Sequence, residues 1–159
     1  MRFLLLFIAI LLFSCNRDDP FAGGKDDIDF PPRRETITFP CNKFNGSVEW
    51  EECTPVVLDL SAPKYRNLAS ATMTYVLVTT RGNSHMIAEL YNKTTGRSIV
   101  LSEVISRVED SIDSRPKTVD ILDQLPLERS ELVIRFRNSE DGPQGYINNY
   151  SFLTLTYKQ

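Results

Sequence analysis

The chain contains one histidine, His85, in the segment Asn83-Ser84-His85-Met86. A Ser-His-Asp or Cys-His relay would have to use it as the base. No G-x-S-x-G elbow, H-E-x-x-H, P-loop or G-x-G-x-x-G fingerprint accompanies it, so His85 reads as a surface histidine at the start of a strand. Carboxylates are plentiful at Glu51, Glu52, Glu103, Glu109, Asp110, Asp120 and Asp123. Two acids held about 5 to 10 Å apart across a cleft can hydrolyse a glycosidic bond. None of these stands in a distinctive context, so no catalytic residue is assigned, the expectation is a non-enzyme, and glycoside hydrolysis stays as the minority alternative. The aromatic residues are more promising. Trp50 lies between Glu49 and Glu51, Tyr65 follows Pro63-Lys64, and Tyr146 and Tyr150 flank Asn148 and Asn149 in GYINNY. An aromatic platform packs against the C–H face of a sugar while neighbouring amides bond its hydroxyls. Trp50, Tyr146, Asn148, Asn149 and Tyr150 are therefore the candidate ligand-binding residues. The competing reading of GYINNY is a tyrosine packed at a strand start before an Asn-Asn turn.

The start of the chain carries a different chemistry. Met1-Arg2 is a short positive region, and Phe3 to Phe13 (FLLLFIAILLF) is an unbroken apolar run. A run of that length falls short of the roughly 20 residues that span a bilayer as a helix. It reads as a signal peptide over residues 1–14 and is excluded from the fold. Leu12-Phe13-Ser14-Cys15 resembles the lipobox of bacterial lipoproteins, in which a small residue precedes a Cys whose thiolate takes a diacylglyceryl group. The resemblance implies that Cys15 is lipidated; the alternative is an ordinary signal followed by a chance cysteine. Each buried methylene contributes about 0.8 kcal/mol, so two or three acyl chains hold a protein at a membrane almost permanently. Asn16-Arg17-Asp18-Asp19 resembles the surface-export signal of Bacteroidetes lipoproteins, which places the chain at the outer membrane. Display at the cell surface is favoured over the periplasmic face, and retention on the inner leaflet is the competing reading. Asp110-Ser111-Ile112 resembles the pattern on which Bacteroidetes O-glycosylate exported proteins, making Ser111 a candidate glycosylation site.

With Cys15 lipidated, Cys41 and Cys53 remain as an even pair on either side of the turn-like stretch Asn42 to Val48, in a chain sent to an oxidising compartment. A disulfide is expected. A metal site would need two further ligands, and His85 is remote, so no metal and no cofactor is expected. The formal charge is -3, and loss of Arg2 with the signal takes it to about -4. No clustered Lys/Arg run is present to displace counterions from phosphates, which excludes nucleic acid as a partner.

Residues 15–35 are punctuated by Pro20, Gly23, Gly24, Pro31 and Pro32 among charges and have little to bury, so they read as the lipidated Cys and a flexible tether. Asp26-Asp27-Ile28-Asp29 lacks the Gly and terminal Glu of a calcium loop and belongs to that tether. Residues 36–159 form one domain with strand-like patterning almost throughout. The expected strands are Val56 to Leu60, Ala71 to Thr80, Met86 to Tyr91, Ser98 to Leu101, Val119 to Leu122, Leu132 to Arg137 and Ser151 to Tyr157. Leu132, Ile134 and Phe136 alternate with Val133, Arg135 and Arg137, and Leu153, Leu155 and Tyr157 alternate with Phe152, Thr154 and Thr156. Such alternation marks antiparallel sheets with one buried and one wet face. Asn92 to Gly96, Arg81 to Ser84 and Asp141 to Gly145 read as turns. The segment Leu101 to Asp113 fits either helical spacing or a strand with a loop.

An all-β fold follows: an antiparallel β-sandwich of jelly-roll type. The stretch from about Ala69 to Tyr157, with TYVLVTTRGNSHMIAELYNKTTG, then DILDQLP before ELVIRFRNS, then YSFLTLTY, resembles galactose-binding-like and carbohydrate-binding jelly rolls. That resemblance implies a fold rather than a ligand set. The expected role is a membrane-anchored, non-catalytic binding module for a glycan or an envelope protein, with a structural accessory subunit of an envelope complex as the alternative.

Overall fold

A computed structural model describes residues 31–79, 85–106, 114–141, 145–148 and 150–159. Cys15, Asn149 and Ser111, with the signal and most of the tether, lie outside the described residues. The elements, all antiparallel strands, are β1 (Arg34–Thr38), β2 (Lys43–Asn45), β3 (Glu51–Glu52), β4 (Val56–Leu58), β5 (Leu68–Thr74), β6 (Leu77–Thr79), β7 (Met86–Asn92), β8 (Arg97–Ser98), β9 (Val104–Ile105), β10 (Ser130–Asn138), β11 (Gly145–Ile147) and β12 (Phe152–Tyr157). Short 3-10 turns cover Pro63–Tyr65 and Leu122–Gln124.

Two three-stranded sheets, β1-β12-β5 and β2-β11-β6, are successive halves of the same three chain runs. They are joined across the break by Phe39 N–H to Ser151 O (3.0 Å) and Asn148 N–H to Val76 O (3.0 Å). Together they make one bent sheet. The second layer is the sheet β3-β10-β7-β8, with β4 pairing β10 and β9 pairing β7. Between the layers lies one apolar core. Leu132, Ile134 and Phe136 from β10 and Leu153, Leu155 and Tyr157 from β12 are buried there, as their alternation requires. This is the antiparallel jelly-roll sandwich expected from the sequence.

Several boundaries differ from the expectation. The run Ala71 to Thr80 is two strands, because Tyr75 and Val76 are both buried and the pleat is broken there. Tyr75 N–H donates to Pro116 O (3.0 Å) and Val76 N–H to the Ser151 hydroxyl (2.9 Å), so the backbone groups at the break are satisfied from outside the ladder. Val119 to Leu122 is not a strand. Asp120 Oδ1 accepts from Leu122 N–H (3.0 Å) and Ala71 N–H (2.8 Å), and this side-chain turn starts the 3-10 segment. Ser98 to Leu101 shortens to β8 because Leu101 has φ +63°. The described part of Leu101 to Asp113 contains β9 and no helix. Arg34 and Glu35, assigned to the tether by composition, already pair with Thr156 and Leu155, and β2 lies within the stretch Asn42 to Val48 read as a turn. Val56 to Leu60 narrows to β4.

The β7-β8 hairpin turns on Gly96, at φ +70°, whose N–H donates to Asn92 O (2.8 Å). Cys41 and Cys53 form a disulfide with Cα atoms 4.9 Å apart. It ties the β1/β2 edge of one layer to the β3/β4 edge of the other.

Candidate functional site

Lys43, Phe44 and Asn45 alternate on β2. Asn45 turns inward and is buried, while Phe44 faces outward at 64% exposed. Phe44 sits directly opposite Tyr146 of β11, and Tyr146 opposite Val78 of β6, so the three form a row across the outer face. The Phe44 and Tyr146 rings lie 4.7 Å apart at 33°. The Tyr146 hydroxyl donates to Asn42 Oδ1, which fixes the ring edge. Asn42 also lines an open recess of about 260 Å³ with Pro40, Lys43, Thr54 and the disulfide. An apolar ledge thus borders a polar hollow whose amide can exchange hydrogen bonds with hydroxyls.

Glycine at 145 permits this layering. A Cβ there would come within 2.6 Å of Asn138 Oδ1 and of the Met86 side chain, so only a bare Cα lets β11 lie so close to β10 and β7. Asn148 follows β11; its N–H caps Val76 O, and its own carbonyl accepts from Ser151 N–H (3.2 Å). Tyr150 is 69% exposed in the turn before β12. Tyr146, Asn148 and Tyr150 therefore follow one another along the β11-β12 run.

Trp50 is not with them. The loop after β2 is held against β10 by Asn45 and Asn138. Asn45 Nδ2 donates to Glu49 O (2.8 Å), and Asn138 Nδ2 donates to Asn45 O (2.8 Å). That brings Trp50 over the outer face of the second layer, where Arg135 and Arg137 of β10 stack at 4.6 and 4.9 Å from its ring. Arg135 also stacks on Tyr91 at 4.0 Å and donates to Glu89.

Several of the groups that could do acid-base work are otherwise engaged. His85 Nδ1 meets Ser106 O at 2.9 Å, and the His85 backbone exchanges bonds with Ser139 (3.0 and 2.8 Å). Glu51 and Glu52, adjacent on a strand, point to opposite sides and pair with Lys43 (3.8 Å) and Lys93 (2.7 Å). Asp120 serves backbone N–H groups, Glu103 and Asp123 are exposed, and Glu109 and Asp110 lie outside the described residues. Among the described residues no group of three or more His, Cys, Asp or Glu side chains is placed to hold a metal. At the start of β1, Glu35 is held below the usual carboxyl range. The hydrogen bond from Tyr157 (2.7 Å) dominates, burial opposes it, and Lys64 (3.2 Å) adds to the lowering. Burial pushes the Tyr75 hydroxyl well above the ordinary phenol range.

No protein-family model matches the chain, and no curated protein matches it in sequence. Solved structures do resemble it. The VP2 subviral particle of infectious bursal disease virus aligns with TM-score 0.50 at 14% identity, over 79% of this chain and 32% of that one. The xylan-binding module CBM15 aligns with TM-score 0.44 at 10% identity, over 81% and 99%. A family two carbohydrate esterase from Cellvibrio japonicus aligns with TM-score 0.37 at 12% identity, over 81% and 35%. The chain spans about a third of the viral protein it matches. At such identities the likeness is one of fold.

Sequence reasoning pointed to Tyr146 and missed Phe44, because CNKFNGS carries the Asn and Gly of a turn. The usable signal was the Lys-Phe-Asn alternation beside a cysteine. It also missed that Arg135 and Arg137 share the ring of Trp50, which depends on the course of the loop and not on spacing.

Proposed function

We propose that this chain is a non-catalytic binding module, anchored at the outer membrane by lipid on Cys15 and displayed at the cell surface, that takes a glycan on the Phe44–Tyr146 ledge. The observation that carries the reading is Phe44, a phenylalanine left 64% exposed yet held in register against Tyr146. A ring so placed contributes nothing to the core, and it offers the flat apolar surface that a pyranose C–H face requires. Asn42 supplies an amide beside it, bonded to the Tyr146 hydroxyl, and Asn148 and the exposed Tyr150 follow Tyr146 along the chain. In this reading Trp50 serves a separate surface.

A glycan array probed with the purified chain tests this. Phe44→Ala and Tyr146→Ala should each weaken binding about tenfold or more, since each removes a ring's worth of buried apolar contact. Phe44→Ala should leave thermal stability nearly unchanged, because the side chain is exposed. Array silence with wild-type protein, or binding indifferent to Phe44, would overturn the reading. Intact mass spectrometry of native protein should find acyl chains on an N-terminal Cys15, and Cys15→Ala should release the protein from membranes.

A second reading, an accessory subunit of an envelope complex, is favoured by Val100, Leu101 and Ile105, all more than half exposed within one short segment. Co-purification of a membrane partner that is lost on Leu101→Asp, together with silence on the array, would select it.

A further inference from the structure

On the outer face of the sheet β3-β10-β7 most of the charged side chains among the described residues are paired. Arg135 donates through Nε to Glu89, and through Nη2 to the Ser98 hydroxyl (3.0 Å), which itself donates to Glu89 (3.0 Å). Glu52 holds Lys93. Arg137, two residues along β10, has no carboxylate within 4.0 Å among the described residues, and its buried Nε has no acceptor. Its guanidinium instead rests 4.9 Å from the centre of the Trp50 ring.

The guanidinium of Arg137 brings a cation to this face. Its contact with the Trp50 ring holds it in place before any ligand arrives, which removes part of the ordering cost of binding. The remaining donors form a planar fork that matches the two oxygens of a carboxylate. Next to Arg137 across the sheet comes Ile87, and next to Ile87 comes Ile105, which is exposed. The row is thus an indole, one unpaired cation and two aliphatic side chains. A uronate sugar has the same character, with an apolar C–H face and one anionic corner.

We infer that Arg137, seated on Trp50, is the anion-reading residue of a second binding site that takes the carboxylate of an acidic sugar. This site does not rest on the Phe44–Tyr146 reading and lies on the other layer of the sandwich. Trp50 is the chain's one tryptophan, so its fluorescence reports on the site directly.

The test is a fluorescence titration of the full-length purified chain with tetragalacturonate and with its methyl ester. Saturable change is expected with the acid, weakening as salt screens the charge, and little with the ester. Arg137→Gln should weaken binding about tenfold to a hundredfold, the range for losing a hydrogen bond to a charged group. Arg137→Lys keeps the charge without the fork and should fall between, which guards against misfolding of the first variant. Equal response to acid and ester, or wild-type affinity in Arg137→Gln, would overturn the inference. Equal or tighter binding of a polyglutamate peptide would overturn the assignment to a sugar.

Discussion

Removing the Cys41–Cys53 bridge by Cys41→Ala/Cys53→Ala should lower stability by about 3 kcal/mol. The bridge closes a loop with a sequence separation of 12. In the chain-entropy treatment, a loop of that size takes about 3 kcal/mol of conformational freedom from the unfolded chain at room temperature. Both cysteines are buried in the core, and alanine introduces no polar group there, so the packing loss is small beside the entropic one. For a domain of this size each kcal/mol corresponds to roughly 3 to 5 °C, so the melting temperature should drop by about 10 °C or more. Urea unfolding gives a second readout. The midpoint should fall, and the slope m should rise slightly, because an uncrosslinked chain expands further and exposes more surface. A loss under about 1 kcal/mol with unchanged m would refute the reasoning, since it would mean that the unfolded chain was already restrained in this region.

Three other perturbations follow from single contacts. Ser102→Ala removes a fully buried hydroxyl that accepts from Leu90 N–H (2.9 Å) and donates to Ile99 O (2.6 Å); chemical denaturation should show a cost of about 1 to 3 kcal/mol. Gly145→Ala forces a Cβ into Asn138 and Met86 and should cost about 1 to 3 kcal/mol by the same assay, with the Asn138 to Asn45 bond weakened. Glu35 has a carboxyl pKa lowered from its ordinary 4.5 by Tyr157 and Lys64, so its contribution is complete above that value and fades as pH falls through the lower folded-state value. Glu35→Gln should therefore be less stable than wild type at about pH 6, and the gap should close towards about pH 3; a gap that widened in acid would contradict the assigned contacts.

The sequence made the architecture legible wherever a strand is long and has one wet face. FLTLTY shows its register openly, because each outward position bears a half-exposed residue, and ELVIRFRN does so at Arg135 and Arg137, although the outward Val133 is buried as well. ATMTYVLVTT hid its break, since Tyr75 and Val76 are both apolar and both buried, and nothing in their types marks a lost pleat. β2 and β3 are too short for periodicity to speak, and their pairing is supported from outside by the disulfide and by the bond that Asn138 donates to Asn45 O. Val119 to Leu122 has strand composition, yet a single carboxylate at Asp120 outcompetes the ladder. The candidate sites divide in the same way. Tyr146 was legible because aromatic and amide residues are neighbours along the chain. Phe44, and the sharing of Trp50 by two arginines, arise from residues far apart in sequence, and become visible only through cross-strand register and loop course.

Finally, β1 begins where β12 ends. Arg34 pairs with Thr156, three residues short of Gln159, so both chain directions leave the sandwich at one pole. Phe44 lies ten residues further along that same bent edge, up to about 30 Å away at about 3.3 Å per residue. A protein immobilised on a sensor through Gln159 therefore keeps its aromatic ledge at the far pole, free to meet an analyte. The same separation means that grafting a reporter onto Gln159 leaves that ledge sterically untouched.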